Sequence, residues 1–178
     1  MRIIAGSKRG TTIAAPKGVK TRPTGDRVRE AAYNLIGAVE GSRVLDLFAG
    51  SGAMGLEALS RGATRAVFVE SDGAACTAIR TNLEKLRFTG AQILQEDVFS
   101  ALRQEGAAGR LYDLVLVDPP YETYSSLQMR LSELLPRVLA DDGLLVLETA
   151  ANVEPTLPLE LVTSRRYGAA RLTLFAHS

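Results

Sequence analysis

Two short stretches carry residue types at spacings suited to chemistry. The first is Asp118-Pro119-Pro120-Tyr121, set directly after the apolar run Leu114–Val117. Two prolines remove two N–H donors and stiffen the turn, leaving carbonyls that can only accept hydrogen bonds. The Asp118 carboxylate and the Pro119 carbonyl can together accept both hydrogens of a planar –NH2. Held that way, the nitrogen lone pair leaves conjugation and is readied to attack an electrophilic methyl group in line. Tyr121 adds a flat face on which an extruded base can stack. Asp-Pro-Pro is also an ordinary strand-ending turn, so its place in the fold decides between the two readings.

The second stretch is VLDLFAGSGAMG, Val44 to Gly55. It opens as a buried strand, turns polar at Asp46, tightens through Gly50-Ser51-Gly52 and enters a helix from Ala53. Glycines let the backbone bend sharply and let a ligand approach without a Cβ in the way. The N–H groups of the helix start face whatever is bound. This is the pattern of a nucleotide-type site at the carboxyl end of a first strand.

The elements that must position both stretches follow from periodicity. Strands are predicted at 43–47, 66–69, 91–94, 111–117 and 143–147, and helices between them at 53–61, 73–86, 98–104 and 125–139. The second of these helices carries Ala75, Ile79, Leu83 and Leu86 on one side. The last carries Leu127, Leu131, Leu134, Leu135 and Val138. Near-continuous apolar strands with amphipathic helices between them predict a parallel sheet covered on both faces. Strands at 159–166 and 171–175, joined at Tyr167-Gly168, predict an antiparallel hairpin closing the sheet.

Ligands bind beyond the carboxyl ends of such strands. Those ends read Asp46, Glu70, Asp97, Asp118 and Glu148, an acid on each. Like charges around one crevice repel, and a bound cation or several hydrogen-bond donors would relieve them. Gly50 to Gly55 matches the dinucleotide pattern G-x-G-x-x-G, with Glu70 about where a ribose-binding acid belongs. A diphosphate, however, would be opposed by Asp46 and Asp118, which disfavours an NAD(P)-dependent oxidoreductase. S-adenosylmethionine, with a sulfonium, an ammonium, ribose hydroxyls and an adenine amine, suits the acids better. The expected cofactor contacts are Asp46, Phe48, Ala49, Gly50, Ser51 and Gly52 at the amino-acid end, Glu70 with Ser71 at the ribose, and Asp97 with Val98 at the adenine.

The bulk composition is that of a globular chain: 178 residues, 46% hydrophobic and 23% charged, with no run long enough to span a membrane. No signal-peptide pattern opens it, and one cysteine, Cys76, excludes an internal disulfide. Cytoplasm and a monomeric state are the default expectations. Net charge is +1, but residues 1–30 hold eight Lys/Arg against Asp26 and Glu30, leaving the remainder at −5. Glycines and prolines divide residues 2–22 into short pieces, predicting a small hairpin or arm over 1–24, ahead of a main domain over 25–178. A basic arm on an acidic body points to a polyanion partner, although a solvated tail has the same composition. A helix is predicted from Thr24-Gly25-Asp26, with Val28, Ala31, Ala32, Leu35 and Ile36 as its apolar stripe. Arg27 and Arg29 lie off that stripe, free to face a ligand or solvent. His177, the only histidine, sits one residue from the end, so neither a catalytic triad nor a metal site is expected. Cys76 reads as a small buried side chain.

The turn DPPY and the run D-x-F-x-G-S-G, Asp46 to Gly52, resemble the seven-stranded, S-adenosylmethionine-dependent amino-group methyltransferases. More narrowly, RIIAG at Arg2–Gly6, TRPTGDRVRE at Thr21–Glu30 and DLFAGSGAMGLEALSRGA at Asp46–Ala63 resemble the RsmD-type 16S rRNA guanine-N2 methyltransferases. The resemblance spans residues 2 to about 148. It implies a Rossmann-like seven-stranded sheet, S-adenosylmethionine as cofactor, and methyl transfer to a guanine of small-subunit ribosomal RNA, free or in a particle. Asp118, Pro119, Pro120 and Tyr121 would be catalytic. The family's N-terminal extension grasps RNA, which carries over here to Arg2, Lys8, Arg9, Lys20, Arg22, Arg27 and Arg29. Gly25 stands where Thr is expected, and Met54 where Leu is. A DNA adenine-N6 methyltransferase shares the DPPY chemistry, but the chain leaves no room for a separate DNA-recognition domain. A non-catalytic RNA-binding module would not need an intact DPPY.

Overall fold

The computed structural model describes residues 1–16 and 25–178. Thr24 and the expected RNA contacts Lys20 and Arg22 lie outside them, as does Lys17. In chain order the elements are α1 (Asp26–Ile36), β1 (Arg43–Leu47), α2 (Ala53–Ser60), β2 (Arg65–Glu70), α3 (Gly73–Leu86), β3 (Ala91–Gln95), α4 (Val98–Ala107), β4 (Tyr112–Val117), α5 (Tyr124–Leu134), β5 (Leu139–Ala150), β6 (Glu160–Tyr167) and β7 (Ala170–Ala176). The strands form one seven-stranded sheet in the order β3-β2-β1-β4-β5-β7-β6. β1 to β5 run parallel, while β7 pairs antiparallel with both β5 and β6, so the expected closing hairpin is present.

Alternation along the strands divides the core into two layers. Val44, Ala66, Phe68, Leu114, Leu116 and Val146 pack with α1, α2 and α3. Leu45, Leu47, Val67, Val69, Val115, Val117, Leu145 and Leu147 pack with α4 and α5. Two boundaries depart furthest from the periodic reading. The expected helix 125–139 stops at Leu134 and tightens into a 3-10 turn at Leu135–Arg137, because Pro136 has no N–H to continue it. The fifth strand begins at Leu139 rather than Gly143, its pairing with β4 shifting register between Tyr112 and Leu114.

The first sixteen residues are docked on the body. Arg2 and Thr12 pair across a hairpin, and Ile3 and Ile13 are buried in the α1–α3 layer. Gly6 lies so close to α2 that a Cβ there would fall 1.8 Å from the Ser60 carbonyl oxygen. This contact accounts for the glycine that ends RIIAG.

The amide groups of Ile4 and Ala5 donate to the carboxylate of Glu57, at 2.8 and 2.9 Å. Glu57, in the middle of α2, is wholly buried. Arg61 Nε donates to the same carboxylate at 2.9 Å, and Arg29 Nε stands 3.6 Å from it. Arg29 also donates through Nη2 to the Arg2 carbonyl and to Asp26.

The expectation that Arg29 faces RNA is therefore corrected. Its side chain is fully buried as the counter-ion of Glu57. The buried residues of α1 are Arg29, Ala32 and Tyr33, so its packed face is wider than the apolar stripe because a buried carboxylate draws the arginine inward. Arg27 remains exposed. Gly25 starts α1 without a side-chain cap, as the departure from Thr implies.

Breaking a buried pair by removing one partner strands the other charge. Arg29→Ala is expected to cost about 3–5 kcal/mol of stability in urea unfolding. Arg27→Ala should stay within about 0.5 kcal/mol. Equal, small effects would show that the buried pair contributes nothing.

Candidate active site

The strand order fixes where a ligand can enter. From β1 the chain winds outward through β2 to β3, then crosses back to lay β4 on the other side of β1. The connections diverge above β1 and β4, and a crevice opens at their carboxyl ends. Both chemistry-bearing stretches end there. Val44–Leu47 pair in register with Leu114–Val117, and Asp118 N–H reaches the Leu47 carbonyl at 3.5 Å. The DPPY turn thus stands beside the glycine turn.

The glycine turn is built on left-handed backbone. Gly50 and Gly52 have φ of +55° and +77°, and Phe48 is held at +57°. For a bulky residue that costs about 1–3 kcal/mol, and such strain collects at ligand sites. A Cβ on Gly50 would meet nothing nearer than the Phe48 oxygen at 4.0 Å, so one side of the turn is open to a ligand. On Gly55 it would strike the Phe68 ring at 2.4 Å, so this glycine sets how closely α2 packs on β2.

Three of the tip acids take donors from the chain itself. Glu70 accepts from Gly50 N–H at 2.9 Å through one oxygen and from Asp72 N–H at 2.9 Å through the other. Asp97 caps α4, accepting from Ser100 N–H at 3.1 Å. Glu148 accepts from the Tyr121 hydroxyl at 2.6 Å, tying the DPPY turn to the tip of β5. Of the two remedies considered for the repulsion, the fold supplies the donors. Among the described residues no three His, Cys, Asp or Glu side chains gather to hold a metal ion.

Asp46 lies deepest. It is 3% exposed, and its Oδ2 accepts from Gly55 N–H at 2.8 Å, in the first turn of α2. Burial lifts its carboxyl from 3.8 to about 7; the Gly55 N–H opposes the rise and the Glu70 charge adds to it.

Of the other expected contacts, Ala49 and Ser51 are half-buried on the turn, Ser71 is exposed beyond β2, and Val98 is buried as the first residue of α4. Pro119 is buried, Pro120 exposed, and Asp118 and Tyr121 half-buried. Cys76 is buried, with its thiol 3.4 Å from the Glu70 carbonyl oxygen. His177 bonds the Leu139 carbonyl, at the opposite end of β5 from the crevice.

The basic residues of the arm are spread out. Arg2, Arg9 and Arg27 are exposed. Ser7 and Lys8 donate their amides to Ser60, which puts Lys8 and Arg9 at the far end of α2, about 12 Å along the helix from the glycine turn. Sequence reasoning passed over Glu57, Asn82 and the bond between Glu148 and Tyr121. A charged residue inside the apolar helix AMGLEALS was the available signal for Glu57. Asn82 gave none.

A seven-stranded sheet of this order, with a glycine turn after β1 and acids at the strand tips, is the Rossmann-like fold of S-adenosylmethionine-dependent methyltransferases. Comparison with known proteins narrows the class. The family model for Conserved hypothetical protein 95 matches residues 1–176. YlbH of Bacillus subtilis is 37% identical over 185 residues, covering 98% of each chain. Ribosomal RNA small subunit methyltransferase D of Escherichia coli is 37% identical over 166 residues, 89% of this chain and 79% of that protein. The solved structure of yhhF from Escherichia coli superposes with a TM-score of 0.87 at 36% identity, covering 100% of this chain and 98% of that one. The chain belongs to the RsmD-type methyltransferase family.

Asp46 yields a pH dependence. A carboxyl that holds its proton more tightly folded than unfolded adds stability below its unfolded pKa, and that stability is lost as pH rises through the folded value. Urea unfolding from pH 4 to 8 should therefore show the wild type losing stability up to about pH 7 relative to Asp46→Asn. The amide keeps an acceptor for Gly55 and cannot titrate. Parallel profiles would show that Asp46 is ionised throughout.

Proposed function

We propose that this chain transfers a methyl group from S-adenosylmethionine to the exocyclic N2 of a guanine in small-subunit ribosomal RNA. The observation that carries this reading is the Asp118-Pro119-Pro120-Tyr121 turn, standing beside the glycine turn at the divergence of β1 and β4. The name of the Escherichia coli relative supports small-subunit ribosomal RNA as the substrate class. The resemblance of the quoted sequence blocks supports the guanine N2.

The site fits the cofactor. Glu70 spends one oxygen on Gly50 of the turn and the other on the Asp72 N–H, and a carboxylate has about four lone-pair sites, so acceptor capacity remains for ribose hydroxyls. Asp97 caps α4 with Oδ2 at an exposed position, and its carboxylate can also receive an adenine amine. Asp46 holds the glycine turn from beneath through Gly55. When bound, S-adenosylmethionine supplies an electrophilic methyl group on a sulfonium.

The protein's part is to prepare the nucleophile. Asp118 and the Pro119 carbonyl accept the two hydrogens of the guanine amine, raising the lone pair for in-line attack. Neither proline offers an N–H to compete for that lone pair. Tyr121 stacks on the extruded base, and its bond to Glu148 anchors the hydroxyl end of the ring. After transfer the nitrogen sheds one proton, to water or by way of Asp118. Exposed Arg2, Arg9 and Arg27 and half-buried Lys8, together with Lys20 and Arg22, are proposed to meet the RNA backbone.

The test uses cofactor labelled on its methyl group with small-subunit rRNA, small ribosomal subunits or DNA, each digested to nucleosides. N2-methylguanosine from the ribosomal substrates is expected; N6-methyladenine from DNA would replace this reading. Asp118→Ala should lower transfer at least about a hundredfold while S-adenosylhomocysteine binds as in the wild type. Retained activity in that variant would remove the mechanism.

A further inference from the structure

Asn82 is a wholly buried polar side chain on α3 that the chemistry above does not use. Its carbonyl oxygen accepts from Ala14 N–H at 2.8 Å. Its amide nitrogen donates to the Ala14 carbonyl at 3.0 Å and to the Ser51 carbonyl at 3.2 Å. One side chain thus grips the returning strand of the arm in the manner of a β-partner and, with its second N–H, the middle of the glycine turn. Both amide donors are committed.

The Ser51 bond has a mechanical consequence. The Ser51 carbonyl and the Gly52 N–H belong to one rigid peptide plane. The Gly52 N–H closes the turn on the Ala49 carbonyl at 2.7 Å. Fixing the carbonyl end of that plane fixes the orientation of the turn that lines the crevice. The arm reaches the same turn a second time, where Ser51 Oγ donates to Met1 Sδ at 3.7 Å. It is held further down by the Ile4 and Ala5 bonds to Glu57, on the helix that the turn opens into.

We infer that Asn82 is a positioning residue that couples the arm to the cofactor turn, so that ordering the arm tightens the cofactor site and filling that site holds the arm. The inference rests on the functional reading above and adds to it a regulation of the same site. RNA that settles on the arm strengthens the hold on the methyl donor, and the reverse holds by the same factor. A loss of the Asn82 bonds uncouples the two without touching Asp118 or Tyr121.

The experiment uses the full chain with S-adenosylhomocysteine as the probe. Calorimetry should find the probe about tenfold weaker in Asn82→Ala, within the usual range of such couplings. Turnover on small-subunit rRNA at saturating cofactor should stay within about twofold, so that the loss appears in KM and not in kcat. A role confined to stability would lower the melting temperature and leave the KM of the folded fraction unchanged. Amide hydrogen exchange supplies the second readout. In the wild type, the probe should slow exchange at Ile4, Ala5 and Ala14; in Asn82→Ala it should not.

Ala14→Pro deletes the N–H that Asn82 accepts and leaves α3 intact. It should also weaken the probe and abolish the protection at Ile4 and Ala5, and it carries the test if Asn82→Ala does not fold. Wild-type affinity in the variants, or arm exchange in the wild type indifferent to the probe, would overturn the coupling. A wild-type chain that does not take up S-adenosylhomocysteine would instead remove the functional reading, and the coupling with it.

Discussion

A carboxylate with no exposure to water is the constraint on which the rest of this molecule depends. Burying Glu57 costs several kcal/mol in lost hydration, and that cost is met only if its oxygens find donors in good geometry. The fold provides them from Ile4 and Ala5 of the arm and from Arg61 at the end of α2, and Arg29 of α1 adds its buried positive charge 3.6 Å away. None of these pieces could satisfy the group alone. The carboxylate therefore acts as a selector, because an arrangement that omits one piece leaves a charge stranded. It also explains why RIIAG, the stretch from Asp26 to Arg29 and GLEALSRG occur together. Ile4 and Ala5 meet Glu57 across 53 and 52 residues of chain, and Arg29 meets the same group.

The same logic recurs at the carboxyl end of the sheet with less burial. Glu70, Asp97 and Glu148 each take a donor from the chain's own backbone or from a tyrosine. The crevice thereby acquires negative groups at fixed positions before any ligand arrives. A site organised in this way has its acceptors aimed in advance, which lowers the reorganisation needed on binding and in the reaction. Asp46 is the extreme member. It sits behind the turn, keeps much of its proton near neutrality, and holds the start of α2 through the Gly55 N–H.

The alternation of strand and helix was legible because periodicity reports burial on two faces, and burial on two faces is what a parallel sheet imposes. The α3 limits, Gly73–Leu86, coincide with the apolar pattern. The site turns were legible for a related reason: glycine and proline report backbone geometry directly. Failures occurred where a polar residue goes inside. Arg29 was read as surface because a lone sequence cannot show Glu57 waiting across the core. The α1 stripe of Val28, Ala31, Ala32, Leu35 and Ile36 does pack on the core, and Arg29 and Tyr33 widen its buried face. Asn82 was invisible for want of any local pattern, its partners being 31 and 68 residues away. Pro136 was in plain view, but leucines on both sides kept the helical period running past it.

The burial of Arg29 changes the electrostatic picture of the arm. The eight basic residues in the first thirty cannot all serve a polyanion, since Arg29 is engaged in the core. Lys8 and Arg9 lie by Ser60, at the opposite end of α2 from the crevice. An RNA that touches both them and Tyr121 must extend along the α2 side of the domain and not simply plug the crevice. The docked hairpin runs along that path, with its tip at Ser60 and its returning strand at Asn82 beside the glycine turn. Lys8 and Arg9 are thus mounted on a docked hairpin that touches both ends of α2. A flexible tail of equal charge would attract RNA as strongly from a distance, but it could not register where along the domain that RNA lies.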